Sequence, residues 1–350
     1  MNTVMERPVV LSASATGNTR SNTVDIMKGI AISLMAFGHT SQGMYARGWW
    51  VGPRHFFAED LIYSFHMPVF FVVAGLFVLK SLERRGAKSF TLEKLKTILY
   101  PYLLWAVLYA VLEPFITRYK NSHHPFELKS FAVSLLIGEQ GWFLYTLFGC
   151  LMIAVLMRSW PAWLRLLAGV IAGMLIPSGM PVVGMIAREF CFLAVGMWIG
   201  IGTYSILRTS ALTSAAVFIG LAAFQAAMIW RFGAANRWNY VLLGLTGTAG
   251  VFFLSRLIEQ WKLGDLFCWL GRGSLGVFLM GAFVQGATRE FLFRALHTRE
   301  FWLQLLVPTV TSTIIPAFVW YEQDRLRLRW LFSWPIGKSS ASTIQAKSGV

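Results

Sequence analysis

The chain has 350 residues, of which 56% are hydrophobic and only 13% are charged, whereas ordinary globular domains carry about 25% charged residues. This composition excludes a soluble enzyme, and the 28 Phe and 15 Trp exclude a disordered chain. The remaining class is an all-α integral membrane protein with many spans. Its net charge of +15 is typical of Lys and Arg at inner span ends and does not indicate nucleic-acid binding.

The apolar pattern predicts three regions along the chain. Residues 1–24 are a polar cytoplasmic segment, residues 25–322 are an integral-membrane domain, and residues 323–350 are a basic, disordered cytoplasmic tail. The domain contains ten apolar segments of about the length that a span requires. They cover approximately residues 26–46, 60–80, 98–117, 142–158, 163–178, 187–204, 211–230, 239–258, 266–288 and 301–321. Segment 128–138 is too short to span, and we interpret it as an interfacial or re-entrant piece before Trp142.

The distribution of basic residues predicts the orientation. The linker between the second and third segments, residues 80–96, is the densest basic cluster and is expected in the cytoplasm. With ten spans, both termini are then cytoplasmic, and the segments on that side hold 20 of the 31 Lys and Arg. The spacings Gly169-x-x-x-Gly173 and Gly196-x-x-x-Gly200 favour close packing of helices.

The first two spans carry the ionisable residues of most interest. In the first span, His39 follows Lys28 by eleven residues, about 16 Å deeper at 1.5 Å per residue. In the second, antiparallel span, His66 lies about 9 Å below the outer end, so both histidines are expected at one depth. A single histidine in an apolar helix is often a packed core residue. For His66 a purely structural role is the alternative, in which it hydrogen-bonds a backbone carbonyl that Pro68 leaves without its helical partner.

Later spans offer further candidates at their ends. On the inner side, the run Gly271-Arg272-Gly273-Ser274 can present backbone N–H groups and a guanidinium to a phosphate. On the outer side, the fourth, sixth and ninth segments begin or end with aromatic or paired charged residues. These are Trp142, Arg188 with Glu189, and Arg289 with Glu290. Each of them also fits a plain structural role, as a belt aromatic or a local ion pair.

Four blocks together resemble the integral-membrane acyltransferase 3 family. They are D-x-x-K-G-I-A-I…G-H in the first span, S-F-H-M-P-V-F-F-x-x-A-G in the second, G-W-F-L-x-x-L-F at the fourth and L-G-R-G-S-L-G-V-F-L at the ninth. The nearest branch is that of fucose 4-O-acetylase-like, O-antigen and exopolysaccharide acetyltransferases. The chain departs from the family pattern at four places. The family often has Arg at the position of Lys28, Ser-Gly at that of Ala74-Gly75 and His at that of Gly281. The basic pair that the family often has before the proline of the third span is reduced here to Lys94 and Lys96 before Pro101.

The resemblance implies a multi-pass enzyme of the bacterial inner membrane. Such an enzyme transfers an acyl group, usually acetyl from acetyl-CoA, to a hydroxyl of a surface glycan or its lipid-linked precursor. It implies that His39 is the essential residue, and we place His66 beside it as a second catalytic candidate. A neutral imidazole can take the hydroxyl proton during attack on the thioester, and an acyl-histidine intermediate is compatible with the same residues.

The remaining site assignments concern binding. We expect the acyl-CoA phosphates at Lys28, Arg272, Lys94 and Lys96. We expect the acceptor at Asp25, Trp142, Arg188, Glu189, Arg289 and Glu290. Membrane lipids are further partners, and neither a metal nor a nucleic acid is expected. A rival hypothesis stays open: a secondary transporter or flippase that uses the intramembrane histidines as a proton relay.

Overall fold

The computed structural model describes residues 22–116, 128–137, 141–177, 179–206, 209–233 and 237–335. In these ranges the chain forms thirteen α-helices and no β-strand, so the all-α class is confirmed. The helices are α1 Asn22–Tyr45, α2 Pro53–Arg85, α3 Ala87–Lys94, α4 Tyr100–Ile116, α5 Leu128–Leu136, α6 Trp142–Leu156, α7 Ala162–Leu175, α8 Val183–Ile206, α9 Ala211–Phe232, α10 Arg237–Ile258, α11 Lys262–Arg272, α12 Ser274–Glu290 and α13 Phe301–Tyr321.

Each of the ten apolar segments overlaps helix within the described residues, but fewer helices are long and apolar enough to cross a membrane. Six helical stretches of the described chain meet both conditions, and a bent pair of helices brings the number to seven. The helices α6 and α7 are apolar but short. The protein is thus a helical membrane protein, while ten spans and two cytoplasmic termini stay predictions.

The ninth apolar segment, 266–288, is not one continuous span as the sequence predicted. It is broken into α11 and α12, which meet at an angle of 83°. The break falls at Gly273, between the two helices. The helix α11 lies tightly against the start of α1, because a Cβ on Gly271 would overlap the carbonyl of Asp25 and a Cβ on Gly29 would overlap that of Phe267. This close packing on α1 accompanies the change of direction at the break.

Small residues also set the packing of the central helices. A Cβ on Gly75 of α2 would overlap the Leu193 carbonyl of α8, and one on Gly196 would overlap the Val72 carbonyl. The helices α2 and α8 therefore approach at backbone distance. Gly169 and Gly173 pack α7 against α8 as their spacing predicted. Gly200 differs: its φ of 61° interrupts α8, and no atom lies within 4 Å of the Cβ position.

The chain after α13 packs back against the helices as far as residue 335, the last residue that the structure describes. A 3₁₀ turn, Arg329–Leu331, leads to Phe332, which is buried against Trp320. The Trp105 indole donates a hydrogen bond to the Leu331 carbonyl at 2.8 Å. Aromatic side chains thus hold this stretch on α4. Residues 336–350, the rest of the predicted tail, lie outside the described residues, as do most of residues 1–24.

The short helix α5 corresponds to the segment interpreted as interfacial or re-entrant. Its last turn is held from two sides, because the Tyr102 hydroxyl donates to the Leu135 carbonyl at 2.6 Å and the Tyr145 hydroxyl donates to the Leu136 carbonyl at 3.0 Å. The helix therefore ends between α4 and α6, a few residues before Trp142. Its depth in the membrane stays a prediction.

Candidate functional site

A buried carboxylate organises the first residues of α1. Asp25 is only 1% exposed and accepts from Lys28 Nζ at 2.7 Å and from Arg272 Nε at 3.0 Å. Arg272 also donates to the Asn22 side-chain oxygen at 3.1 Å. Asp25, Lys28 and Arg272 are called here the cationic mouth. Because two cations share one carboxylate, the cationic mouth has a net charge of about +1 with all three side chains ionised. Asp25 lies with the expected donor residues and not with the outer acceptor candidates.

A cavity of about 500 Å³, the large cavity, leads away from the cationic mouth. Asp25, Lys28 and Ser274 line its polar end. The rest is lined by apolar side chains from α1, α2, α6 and α12, together with Thr97 and Ile98. Among those apolar side chains are Ile32, Met67, Phe70, Phe143, Leu144 and Phe278. A long, mostly apolar chain with an anionic end matches this distribution of charge.

His39 opens into a second cavity, of about 220 Å³. This His39 cavity is walled by aromatic residues of α4 and α6, including Tyr102, Trp105 and Trp142, and the His39 side chain is exposed within it. Leu144 and Phe278 line both this cavity and the large one. These two side chains therefore form the partition between the cavity that reaches the cationic mouth and the cavity that contains His39.

A third cavity, of about 260 Å³, is lined by His66. Its other lining residues are mostly polar or aromatic: Asp60, Tyr63, Ser64, Met67, Trp142, Arg188 and Tyr240. This His66 cavity shares Met67 with the large cavity and Trp142 with the His39 cavity. The three cavities are thus neighbours around one group of side chains.

The hydrogen bonding of His66 limits its protonation pattern. Its Nδ1 lies 2.8 Å from the Ile62 carbonyl oxygen, so Nδ1 carries a hydrogen and donates it. The neutral ring then keeps its lone pair on Nε2. Pro68 would free the carbonyl of Ser64, four residues before it, and not that of Ile62. The carbonyl partner of His66 is therefore different from the one that the sequence suggested.

The structure brings His39 and His66 together through Tyr63. The Tyr63 ring meets the His39 ring edge-on at 6.2 Å between centroids and the His66 ring at 4.9 Å. The Tyr63 hydroxyl lies 3.4 Å from His39 Nδ1. Tyr63 was not among the residues predicted from the sequence, although its position three residues before His66 places both on one helix face.

Arg188 and Tyr240 line the His66 cavity, and Glu189 lies behind them as their shared partner. Glu189 is fully buried and accepts from Arg188 Nε and from the Tyr240 hydroxyl, each at 2.8 Å. The Arg188 guanidinium lies over the rings of Tyr240, at 4.9 Å, and Trp142, at 5.9 Å. These contacts fix Arg188 and both aromatic rings beside His66.

Four other predicted site residues lie away from the cavities. Lys94 contacts the Phe90 ring and pairs with Glu93, and Lys96 is exposed. The π-helical turn Leu95–Leu99 that follows nonetheless contributes Thr97 and Ile98 to the large cavity. Glu290 pairs with Arg47 and Arg294, and Arg289 packs against Gly43 of α1. Neither Arg289 nor Glu290 lines any of the three cavities described above.

Buried polar side chains that were not predicted from the sequence hold the helix that carries His39. The Gln285 amide of α12 donates to the Ala36 carbonyl at 2.9 Å and to the Thr40 hydroxyl. Thr309 of α13 donates to the same Thr40 hydroxyl at 3.0 Å. Such bonds in an apolar interior hold α1 in one rotation against α12 and α13.

Comparison with known proteins gives the family context. Residues 21–321 match the model of a family described as an acyltransferase domain. Nodulation protein NolL of Mesorhizobium japonicum is 26% identical over 267 residues, covering 73% of this chain and 61% of that protein. Nodulation protein NolL of Sinorhizobium fredii is 32% identical over 100 residues, covering 28% and 26%. The chain thus aligns with less than two thirds of either relative. No solved structure matches.

Proposed function

The chain belongs to the acyltransferase domain family, and from that premise we propose that it is a membrane O-acyltransferase. It moves an acyl group, acetyl from acetyl-CoA, onto a hydroxyl of a cell-surface polysaccharide or its lipid-linked precursor, in the inner membrane of a bacterium. The observation that carries the proposal is the meeting of three cavities around His39 and His66, one of which reaches the cationic mouth. The motif blocks also favour the fucose 4-O-acetylase-like, O-antigen and exopolysaccharide branch.

The donor fits the large cavity. Acetyl-CoA has anionic phosphates, a long flexible arm and a thioester at its far end. Lys28 and Arg272, held by Asp25, bind the phosphates as charge-assisted partners. The apolar walls accept the arm, and the thioester then reaches the partition of Leu144 and Phe278 beside the His39 cavity. Lys94 and Lys96 add positive potential near this end without lining the cavity.

The acceptor fits the His66 cavity. Ligand sites combine apolar or aromatic surface with a few placed polar groups, and this cavity offers the rings of Trp142 and Tyr240 together with Arg188 and Asp60. Glu189 acts by fixing Arg188 and Tyr240. Arg289 and Glu290 lie outside the cavity, so we assign them to a wider acceptor surface.

His39 supplies the base in the proposed reaction. Its imidazole takes the proton as the acceptor oxygen attacks the thioester carbonyl, and the proton then passes to the leaving sulfur, which gives an ester and a thiol. His66 holds its lone pair on Nε2 within the acceptor cavity and orients the attacking hydroxyl. A general base is needed because a sugar hydroxyl is a weak nucleophile at neutral pH.

The proposal is tested with purified protein in lipid nanodiscs. The protein is mixed with acetyl-CoA labelled in the acetyl group and with the envelope glycan fraction of a strain that lacks the gene. We expect label to appear in glycan and to be released by mild base, as esters are. Label that stays in the donor, together with an envelope glycan of unchanged mass and NMR spectrum in the deletion strain, contradicts an acyltransferase and favours the transporter hypothesis.

A further inference from the structure

Tyr63 is in contact with both the acceptor cavity and His39. It lines the His66 cavity, whereas His39 lines the neighbouring cavity on the other side of Trp142. The Tyr63 hydroxyl is nevertheless 3.4 Å from His39 Nδ1. That separation is long for an O–H···N hydrogen bond, but catalytic hydrogen bonds in ligand-free proteins are often long and tighten when substrate binds.

The backbone of α1 is shaped to receive the Tyr63 ring. Gly38, the residue before His39, faces it: a Cβ at Gly38 would lie 2.9 Å from Tyr63 Cε2 and 3.2 Å from the Tyr63 oxygen. A side chain at this position would therefore push the phenol away from His39. The missing side chain of Gly38 lets the hydroxyl reach Nδ1.

His66 does not connect the acceptor cavity to His39 by a hydrogen bond, because its contacts are different. The Nδ1 of His66 is engaged by the Ile62 carbonyl, and its ring meets Tyr63 edge-on. Of the side chains that line the His66 cavity, Tyr63 is the one whose hydrogen bond to His39 is present in the structure. The phenol therefore connects that cavity to His39 Nδ1.

We propose that Tyr63 is a catalytic proton carrier between the acceptor and His39, an inference that rests on the function proposed above. The acceptor O–H bond breaks and its proton joins the Tyr63 oxygen, while the Tyr63 O–H proton passes to His39 Nδ1. The acceptor oxygen bonds to the thioester carbonyl carbon, and the carbon–sulfur bond breaks. The sulfur then takes the proton from His39, so that ester and thiol leave and both side chains return to their starting forms.

Tyr63→Phe is the direct test, because it removes one oxygen and keeps the ring against Gly38 and His66. We expect kcat to fall by about 10²-fold, the lower end of what proton transfer by a positioned side chain contributes, with the KM for acetyl-CoA unchanged. Tyr45→Phe is the matched control. Tyr45 is exposed and stacks on His55 outside the cavities, so its variant should keep the wild-type kcat.

Fluorotyrosine at position 63 separates proton transfer from packing. Fluorine lowers the pKa of the phenol and changes its size little, so the pH–kcat profile should move to lower pH as fluorine is added. A profile that stays fixed through the series contradicts the proposal. A tyrosine that only supports the wall would leave the profile where it is.

Gly38→Ala provides a second, independent variant. We expect it to lower kcat by displacing the phenol, and the Gly38→Ala/Tyr63→Phe double variant to be no slower than Tyr63→Phe alone, because both changes remove one interaction. If the losses in kcat of the two single variants add in the double variant, the two changes act independently and the proposal is wrong.

The outcomes for Tyr63 and for the function are distinguishable. If wild-type protein transfers acetyl and His39→Gln does not, yet Tyr63→Phe has near wild-type kcat, the role of Tyr63 is wrong and the function stands. If wild-type protein transfers nothing, the function itself fails.

Discussion

Replacing His39 with Gln separates a catalytic histidine from a packed one. Glutamine is close to histidine in size and still forms hydrogen bonds, but it does not act as a base. In the structure the His39 side chain is exposed within its cavity, lies 3.4 Å from the Tyr63 hydroxyl and hydrogen-bonds to Gln42. Glutamine still forms such bonds, so we expect the variant to lose about one ordinary hydrogen bond, about 0.5–1.5 kcal/mol of stability. A lost general base costs about 10²–10⁴-fold in rate, or about 2.7–5.5 kcal/mol of activation free energy.

The two magnitudes are measured on the same nanodisc preparations. Initial rates of acetyl transfer at saturating donor give kcat, and thermal unfolding followed by tryptophan fluorescence gives stability. We expect His39→Gln to lose at least 10²-fold in kcat with a small change in melting temperature. His297→Gln is the control, because His297 is exposed and lines none of the three cavities. Near wild-type kcat in His39→Gln would falsify the base role.

Three further predictions concern the donor, the packing and the orientation. Arg272→Ala should raise the KM for acetyl-CoA about 10- to 160-fold and change kcat little. A lost charged hydrogen bond costs about 1.5–3 kcal/mol, and a phosphate contact acts equally on ground and transition states. An unchanged KM would show that Arg272 only anchors α1. Gly75→Ala should lower the unfolding free energy by about 1–3 kcal/mol, since its Cβ would overlap the Leu193 carbonyl; an unaltered melting temperature contradicts that packing. In protein without native cysteines, a cysteine that replaces Ser89 should not react with an impermeant maleimide applied to intact cells. A cysteine that replaces Ser122, which lies outside the described residues, should react. Labelling at position 89 would contradict the predicted orientation.

The sequence predicted a common depth for His39 and His66, because depth depends on simple helix geometry. A rise of 1.5 Å per residue and an antiparallel turn bring His39 and His66 to one level, and the structure joins them through Tyr63. Tyr63 itself escaped prediction because a tyrosine near a span end is typical of the membrane interface. The spacing of three residues from His66 places both side chains on one helix face, but only the packing of α2 against α1 shows that the Tyr63 hydroxyl reaches His39.

The break at Gly273 and the role of Asp25 were missed for related reasons. The hydrophobic pattern runs on through residues 266–288 and carries no information on direction, whereas the 83° bend accompanies backbone contact between α11 and α1. Asp25 and Lys28 are three residues apart, so their pairing on one helix face was accessible from spacing. The third member, Arg272, is 247 residues away, and only the folded chain brings it there.

The arrangement of the cavities bears on how an acyltransferase in a membrane avoids wasting its donor. A thioester that meets water is hydrolysed, and a site that excludes water suppresses this side reaction. Beyond its polar end, the large cavity is lined mostly by apolar side chains, and Leu144 with Phe278 separates it from His39. Under the proposed function, His39 therefore reaches the leaving sulfur when these two side chains move apart. Substituting Phe278 with Ala should then raise hydrolysis of acetyl-CoA relative to transfer, and an unchanged ratio would show that the partition does not guard the thioester.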